Sequence, residues 1–244
     1  MIVLAHLSDP HLDGGKRAAA RTAQVMHYLN GLPGDVDAIV VTGDLTDNGL
    51  PAEREQATAL LASPRFPVIT CPGNHDGYTP YGWPANQVHD LGRFAVVACD
   101  SVILGRADGH LGDATLDWLR SSLDGLRGRP VFVAFHHPPV KLHHPMIDEI
   151  RLSAAERVAA VLADHPDVVA VLCGHAHTPA ATTFAGRPLL VAPGVKSTLL
   201  LPWELPAGEM NWRSTLDLGQ PPAVAFHILD DDGRLTTHFR LVTD

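Results

Sequence analysis

Five short apolar runs in this chain each end on carboxylate, amide or imidazole side chains, and that repetition leaves few folds open to it. Ile2–Leu7 leads into Asp9-Pro10-His11, and Ala38–Thr42 into Gly43-Asp44. Residues 67–71 lead into Gly73-Asn74-His75-Asp76, and 131–135 into His136-His137. Val168–Cys173 leads into Gly174-His175-Ala176-His177. Apolar runs of this length, rich in β-branched residues, read as buried strands. In α/β sheets ligands collect beyond the carboxyl ends of the strands, so five such ends are expected to converge on one crevice. Turn chemistry accounts for any one of these segments, since Gly, Asn and Asp favour turns. It does not account for all five in series. Burying so many ionisable groups without a cation would cost several kcal/mol per group.

The donors suit two metal ions. Asp9, His11, Asp44, Asn74, His136, His175 and His177 make seven candidate ligands, all oxygen or nitrogen donors, and no cysteine lies among these segments. Such a set accepts manganese, iron, zinc, cobalt or nickel. Two ions roughly 3.5–4 Å apart need a bridging carboxylate, and Asp44, alone on its turn, is the natural one. The D-x-H and H-x-H spacings place both side chains of each pair on one side of an extended segment. By the same rule His137 points away from His136 and has a structural or outer role.

Around these strands the periodicity predicts helices over residues 17–30, 52–62, 113–126 and 153–164. Asp113 is the expected N-cap of the third, and Ser153 with Glu156 the capping box of the fourth. Further strands are expected over 94–99, 102–104, 181–184, 188–192, Ala223–Leu229 and Leu235–Leu241, with Asp232-Gly233 turning the last two into a hairpin. Strand–helix units followed by a mostly β tail favour a mixed α/β fold with two layers of sheet and helices outside. No repeat or linker divides the chain, so residues 1–244 read as a single domain. The Pro-, Gly- and Trp-rich stretches 77–84 and 193–222 are expected to be loops or caps over the site.

Composition removes several functions. The chain has 244 residues, 18 Lys+Arg against 27 Asp+Glu, and a net charge of −9. That balance argues against stable nucleic-acid binding and against an anionic-membrane anchor. It permits an anionic substrate, because a bound cation dominates the local field. Mean hydropathy is +0.05 and hydrophobic residues make up 45%, which excludes disorder. Cys71, Cys99 and Cys173 form no C-x-x-C pair and read as buried thiols of a reducing compartment. No apolar run reaches the ~20 residues of a membrane span, so cytoplasm is the expected location.

Taken together, D-x-H, G-D, G-N-H-D, H-H-P-P and G-H-x-H resemble the calcineurin-like metallophosphoesterases from about Ile2 to Pro179. The resemblance implies an α/β four-layer αββα sandwich of two mixed β-sheets flanked by helices, with a dinuclear centre. It implies that Asp9, His11, Asp44 and His177 hold one ion and that Asp44, Asn74, His136 and His175 hold the other. Iron and manganese are expected first, with zinc, cobalt and nickel as alternatives. His75 matches the family's catalytic histidine, and Asp76 is a candidate to orient it, or else part of a capped turn. The implied chemistry is in-line attack on phosphorus by a hydroxide bridging the two ions.

Finer features narrow the branch. His136-His137-Pro138-Pro139, Met146-Ile147-Asp148, Arg151-Leu152 and the Leu116–Leu119 stretch are similar to class III cyclic-nucleotide phosphodiesterases and bacterial glycerophosphodiesterases. Protein phosphatases of the superfamily carry an arginine where Asn48 stands and a glutamate where Asp76 stands, which disfavours that branch. The expected function is hydrolysis of small phosphodiesters, 3′,5′-cyclic nucleotides such as cAMP first. A glycerophosphodiesterase or broad phosphomonoesterase is the alternative enzyme, and a metal-binding interaction scaffold the non-enzyme alternative. A homodimer is consistent with the resemblance. His143 and His144 are expected in a solvated loop rather than lining the entrance, and Arg17 at the surface. Trp203 and Trp212 are candidates to stack on a base, to meet a second copy or to form a local core.

Overall fold

The computed structural model describes residues 1–76, 85–206 and 208–243, so the stretch expected as a loop over 77–84 lies outside the described residues. Strands β1 (Ile2–Leu7), β2 (Ala38–Thr42) and β3 (Val68–Cys71) run parallel in one sheet. β14 (Ala223–Leu229) pairs antiparallel with β1, and β15 (Leu235–Leu241) antiparallel with β14, giving the order β15-β14-β1-β2-β3. The second sheet includes β4 (Gln87–Asp90), β5 (Ala95–Ala98), β7 (Val131–Ala134) and β9 (Val168–Cys173). With β10 (Ala180–Phe184) and β11 (Arg187–Val191) its order is β10-β11-β9-β7-β5-β4. Its four central strands are parallel and its two edge strands antiparallel. The sheets are therefore both mixed.

Strand alternation separates the layers. Phe132 and Ala134 of β7 face inward, with Val96, Ala170 and Leu172, against Leu4, Val40 and Ile69 of the other sheet. Val131 and Val133 face outward onto α3 (Asp113–Asp124) and α5 (Ala155–Ala163) through Leu119, Leu123, Val158 and Leu162. On the far side Ala5, Leu7, Ile39 and Val41 pack against α1 (Lys16–Asn30) and α2 (Pro51–Leu61). Strands apolar on both faces are what such a double-covered sheet requires. The result is the four-layer αββα sandwich.

Local signals were overridden at three points. Residues 102–104 do not form a strand; Val102 makes one isolated bridge to Gly109. Asp113 is the first helical residue, Gly112 is the cap, and the Asp113 carboxylate instead pairs with Arg157 of α5. Ser153 does not cap α5. It belongs to β8 (Leu152–Ser153), which pairs with β6 (Gly109–His110), and its hydroxyl donates to the Gly109 carbonyl at 2.8 Å. The helix starts after Ala154, at φ +51°. In the last case a long-range strand pairing outcompetes a local cap.

A buried polar chain crosses the first sheet. The His6 ring meets Thr42 Oγ1 and His227 Nε2, each at 2.9 Å, and His227 Nδ1 meets Thr237 Oγ1 at 2.9 Å. Burial pushes His227 down to about 3, and burial together with His227 pushes His6 down too. The unfolded chain takes up protons below about pH 6.5, while the folded chain does not until much lower pH. Stability is thus lost as pH falls from 6.5 towards 3. Between pH 6.5 and 5 His227 alone should cost about 2 kcal/mol. Urea unfolding at the two pH values should show the loss, and the double substitution His6→Phe/His227→Phe should flatten it.

Candidate metal centre

The carboxyl ends of β1, β2, β3, β7 and β9 meet at one edge of the sandwich and bring the seven candidate ligands into one cluster. Cross-loop hydrogen bonds fix it. Asp9 N donates to Gly43 O at 3.1 Å, His11 N to Asp44 O at 2.9 Å, and Gly174 N to His136 O at 2.9 Å. His175 N donates to Asp9 Oδ2 at 3.0 Å and His75 N to Asp44 Oδ1 at 2.9 Å. Two glycines make the approach close. A Cβ on Gly43, itself at φ +88°, would stand 2.5 Å from His136 Nδ1, and one on Gly174 would stand 2.6 Å from Thr42 O.

The backbone here is not extended, as the D-x-H and H-x-H spacings suggested. Asp9, His11, Asp44, His175 and His177 all have positive φ, between +43° and +68°. Non-glycine residues in that region cost roughly 1–3 kcal/mol each and cluster at functional sites. Asp and His tolerate it better than most. The side chains converge because the chain coils at these positions. The same effect corrects His137: the chain bends at 136–137, and the two rings lie 4.8 Å apart.

The outer nitrogen of three of the four candidate imidazole ligands is held by protein. His11 Nδ1 meets Asp47 Oδ1 at 3.0 Å, His136 Nδ1 donates to Thr42 O at 2.6 Å, and His177 Nδ1 meets Ser197 Oγ at 2.8 Å. That arrangement orients the Nε2 atoms inward. There they crowd: His11 Nε2 lies 3.1 Å from His177 Nε2, and His136 Nε2 lies 3.2 Å from His175 Nδ1. Asp44 Oδ2 is 3.4 Å from His11 Nε2 and 3.3 Å from His136 Nε2, between the two imidazole pairs. Asp9 Oδ1 and Asn74 Oδ1 are buried without a hydrogen-bond partner among the described residues. Converging lone pairs and orphaned buried oxygens are what a pair of cations would satisfy, so the donor set fits a two-metal centre. Groups able to hold an ion include Asp9–His11–His177 and Asp9–Asp44–His136.

Charge in the cluster favours cations. Burial opposes ionisation of Asp44, but His136 and His11 outweigh it and hold its carboxyl well below the usual range. Burial likewise opposes a charged His136, yet Asp44 and then Asp9 raise it to about 9. His177 is pushed down to about 4 and His137 to about 3, each chiefly by burial.

His75 lies at the rim, its Nδ1 donating to the Asp47 carbonyl at 2.7 Å. Asp76 does not orient it. The Asp76 carboxylate accepts from Leu45 N, Thr46 N, Thr46 Oγ1 and Gly73 N, tying the β2 and β3 loops together. Those donors occupy both oxygens, so its role is the capped turn. Asp47 takes the orienting role instead. Its carboxylate holds His11 and Lys196 Nζ, at 3.0 and 2.7 Å, while its carbonyl holds His75. The only hint in the sequence was a second aspartate three residues after Asp44.

The 193–222 segment is more than a loop. Val195 N and Lys196 N donate to Ser8 O and Asp9 O. Strands β12 (Thr198–Leu199) and β13 (Leu216–Asp217) pair, and α6 (Trp212–Thr215) precedes β13. Arg17, at the surface as expected, donates to the Lys196 and Leu218 carbonyls and fastens the segment to α1. The cavity so formed measures about 410 Å³. Its lining includes His11, Asp44, Asp47, Asn74, His75, His175, His177, Lys196 and Ser197, together with the apolar Ala107, Ile147 of α4 (Pro145–Glu149), Ile150, Leu199, Trp212 and Leu216. His144 is buried beside a separate cavity of about 280 Å³, next to the exposed Trp203, and not in solvent as expected. His143 is exposed. Cys71, Cys99 and Cys173 are buried free thiols that burial pushes up, so none is a nucleophile at neutral pH.

Residues 2–179 match the calcineurin-like phosphoesterase family. The chain is 32% identical over 247 residues to glycerophosphodiester phosphodiesterase GpdQ of Enterobacter lignolyticus, covering 93% of this chain and 86% of that protein. It is 30% identical over 256 residues to 3′,5′-cyclic adenosine monophosphate phosphodiesterase CpdA of Pseudomonas aeruginosa, covering 100% and 91%. Among solved structures, a dimetal phosphatase from Danio rerio superposes with a TM-score of 0.70 at 14% identity, covering 99% of both chains. That likeness concerns the fold. No helix among the described residues is long and apolar enough to cross a membrane.

Proposed function

The chain belongs to the calcineurin-like phosphoesterases, metal-dependent phosphoric ester hydrolases, and from that premise we propose that it hydrolyses 3′,5′-cyclic nucleotides, cAMP first. The observation that carries this reading is a cavity lined by both kinds of group. Its candidate ligands and Lys196 suit a phosphodiester, and Ile147, Ile150, Leu199, Trp212 and Leu216 in the same lining suit a flat apolar group. A nucleobase stacked on Trp212 gains there what a glycerol moiety would not; base–aromatic stacking is worth about 1–3 kcal/mol. The GpdQ relative supports glycerophosphodiesters as the second reading.

Asp9, His11, Asp44 and His177 would hold one ion, and Asp44, Asn74, His136 and His175 the other. Iron or manganese suits the oxygen-bearing donors. When bound, two such ions supply Lewis acidity at the phosphoryl oxygens and acidify a water. The chain's own residues do the rest. Asp47 fixes the His75 ring through Nδ1, so that protonated His75 can hold a proton at Nε2 and deliver it to the departing ester oxygen. Trp212 and the aliphatic residues of the cavity set the orientation of the nucleoside moiety. The buried free cysteines fit a reducing cytoplasm, and a charge of −9 fits a small substrate rather than a nucleic acid.

The test is a panel on manganese-loaded protein: 3′,5′-cAMP, 2′,3′-cAMP, glycerophosphoethanolamine, bis-p-nitrophenyl phosphate and p-nitrophenyl phosphate, with and without chelator. Chelator-sensitive turnover highest on 3′,5′-cAMP is expected; faster glycerophosphodiester turnover would move the assignment to the second reading. Trp212→Ala should raise KM for cAMP about tenfold, the lower range of a lost stacking contact, and leave glycerophosphoethanolamine turnover unchanged. An equal loss on both substrates would count against the stacking role.

A further inference from the structure

We propose that the cavity of about 280 Å³ beside His144 is a second ligand site, outside the metal centre, that takes an uncharged flat heterocycle of the nucleobase kind. The feature that carries this is His144 itself. The residue is 4% exposed, and neither of its ring nitrogens has a hydrogen-bond partner among the described residues. Buried polar atoms are normally paired and cost stability when they are not, so a side chain with two unpaired nitrogens needs an explanation. Helix capping does not supply one. His144 is the N-cap of α4, yet its side chain makes no capping bond; only its carbonyl is used, accepting from Asp148 N at 2.9 Å. The chain holds the residue in place all the same. His143 takes φ +61° and is exposed while His144 is buried, and Asp148 Oδ1 accepts from Leu142 N at 2.7 Å across the turn. A non-glycine residue at such a φ is strained, and strain of this kind clusters at ligand-binding segments.

The ligand class follows from the lining. Leu142, Ile147, Ala180 and Leu201 make it largely apolar, and Trp203, 72% exposed, brings an indole to it. Thr178 also lines it, but its hydroxyl already donates to Leu199 O. No Asp, Glu, Lys or Arg is among the lining residues, so an ionised group would lose its hydration and find no counter-charge. A neutral imidazole offers one N–H donor and one acceptor nitrogen. A heterocycle whose edge carries both a ring nitrogen and an N–H answers it, and a flat face answers the indole. A purine has both. The occupant is a separate molecule from the substrate, whose base is placed on Trp212 in the other cavity. None of the seven candidate metal ligands lines this site, and neither does His75, so it stands or falls apart from the proposed hydrolysis. The two cavities share Ile147, so a ring bound in one bears on the shape of the other.

The probe is adenosine, which carries no phosphate to be hydrolysed. It is titrated by calorimetry into manganese-loaded Trp212→Ala protein, so that stacking in the active-site cavity does not contribute. One adenosine per chain is expected, with ribose giving no heat, and a crystal of the complex should show the ring between His144 and Trp203. Added in that background, His144→Phe should weaken binding at least about tenfold, the equivalent of one or two lost hydrogen bonds. It should also raise the thermal midpoint, because it removes two unpaired buried nitrogens in favour of an apolar ring. Trp203→Ala, at an exposed position, should weaken binding about tenfold with the midpoint unchanged, and it carries the test if His144→Phe does not fold. A lower midpoint with unchanged binding in His144→Phe would make the residue part of the fold and overturn the proposal. So would no adenosine uptake, equal binding by both variants, or a crystal with ordered water alone on the His144 nitrogens.

Discussion

Exchanging His75 for alanine is expected to lower turnover by about 10²–10⁴-fold with both ions still bound, the range typical of a lost general acid. The geometry separates the two effects. The contact between this residue and Asp44 runs through the His75 backbone N–H, 2.9 Å from Asp44 Oδ1, and survives the substitution. Only the ring is lost, and with it the bond from Nδ1 to the Asp47 carbonyl. Metal content by mass spectrometry and single-turnover rates on cAMP would be measured together. Loss of an ion in His75→Ala would make the residue a structural member of the centre. A rate within a few-fold of wild type would remove it from the proton transfer.

Asp44→Ala should have the larger effect on the centre itself. Asp44 Oδ2 stands between His11 and His136, at 3.4 and 3.3 Å, and a second oxygen holds the His75 backbone. On the proposed bridging role, removing it takes a ligand from both ions, and it takes away the negative charge that raises His136 to about 9. Changes to outer partners of metal ligands cost about 10–100-fold in affinity, so each ion should bind more than 100-fold more weakly here. Calorimetric titration of stripped protein would show it. Retention of both ions with near-normal affinity would mean that Asp44 does not bridge and that the pairing of donors into two seats is different. The core should persist, since Leu45 and Thr46 remain tied to Asp76.

Much of the fold was legible because its signals are local. Strands buried on both faces must be apolar throughout, and β1, β2, β7 and β9 carry that composition. Ligand chemistry is likewise a property of residue type, so Asp9, His11, Asp44, Asn74, His136, His175 and His177 could be picked out before any geometry. What failed were readings that needed a partner far away in sequence. Ser153 has the spacing of a capping box, but Gly109, remote in the chain, offers β8 a strand partner and an acceptor for its hydroxyl. Asp76 sits beside His75 in sequence, yet four donors from two loops claim its carboxylate first.

The sequence by itself determined the strand–helix order, the donor set and the membership those motifs signal, because burial periodicity and ligand type are carried by short segments. Tertiary structure decided the rest. It chose which ring nitrogen of His11, His136 and His177 faces the centre, since that depends on Asp47, Thr42 and Ser197 meeting the opposite nitrogen from other loops. It coiled five ligand positions into positive φ, a cost that only the surrounding packing can hold in place. It also laid residues 193–222 over the donors, so that Trp212 and Leu216 face the same cavity as His75. That shared lining is a long-range contact, and no run of adjacent residues encodes it.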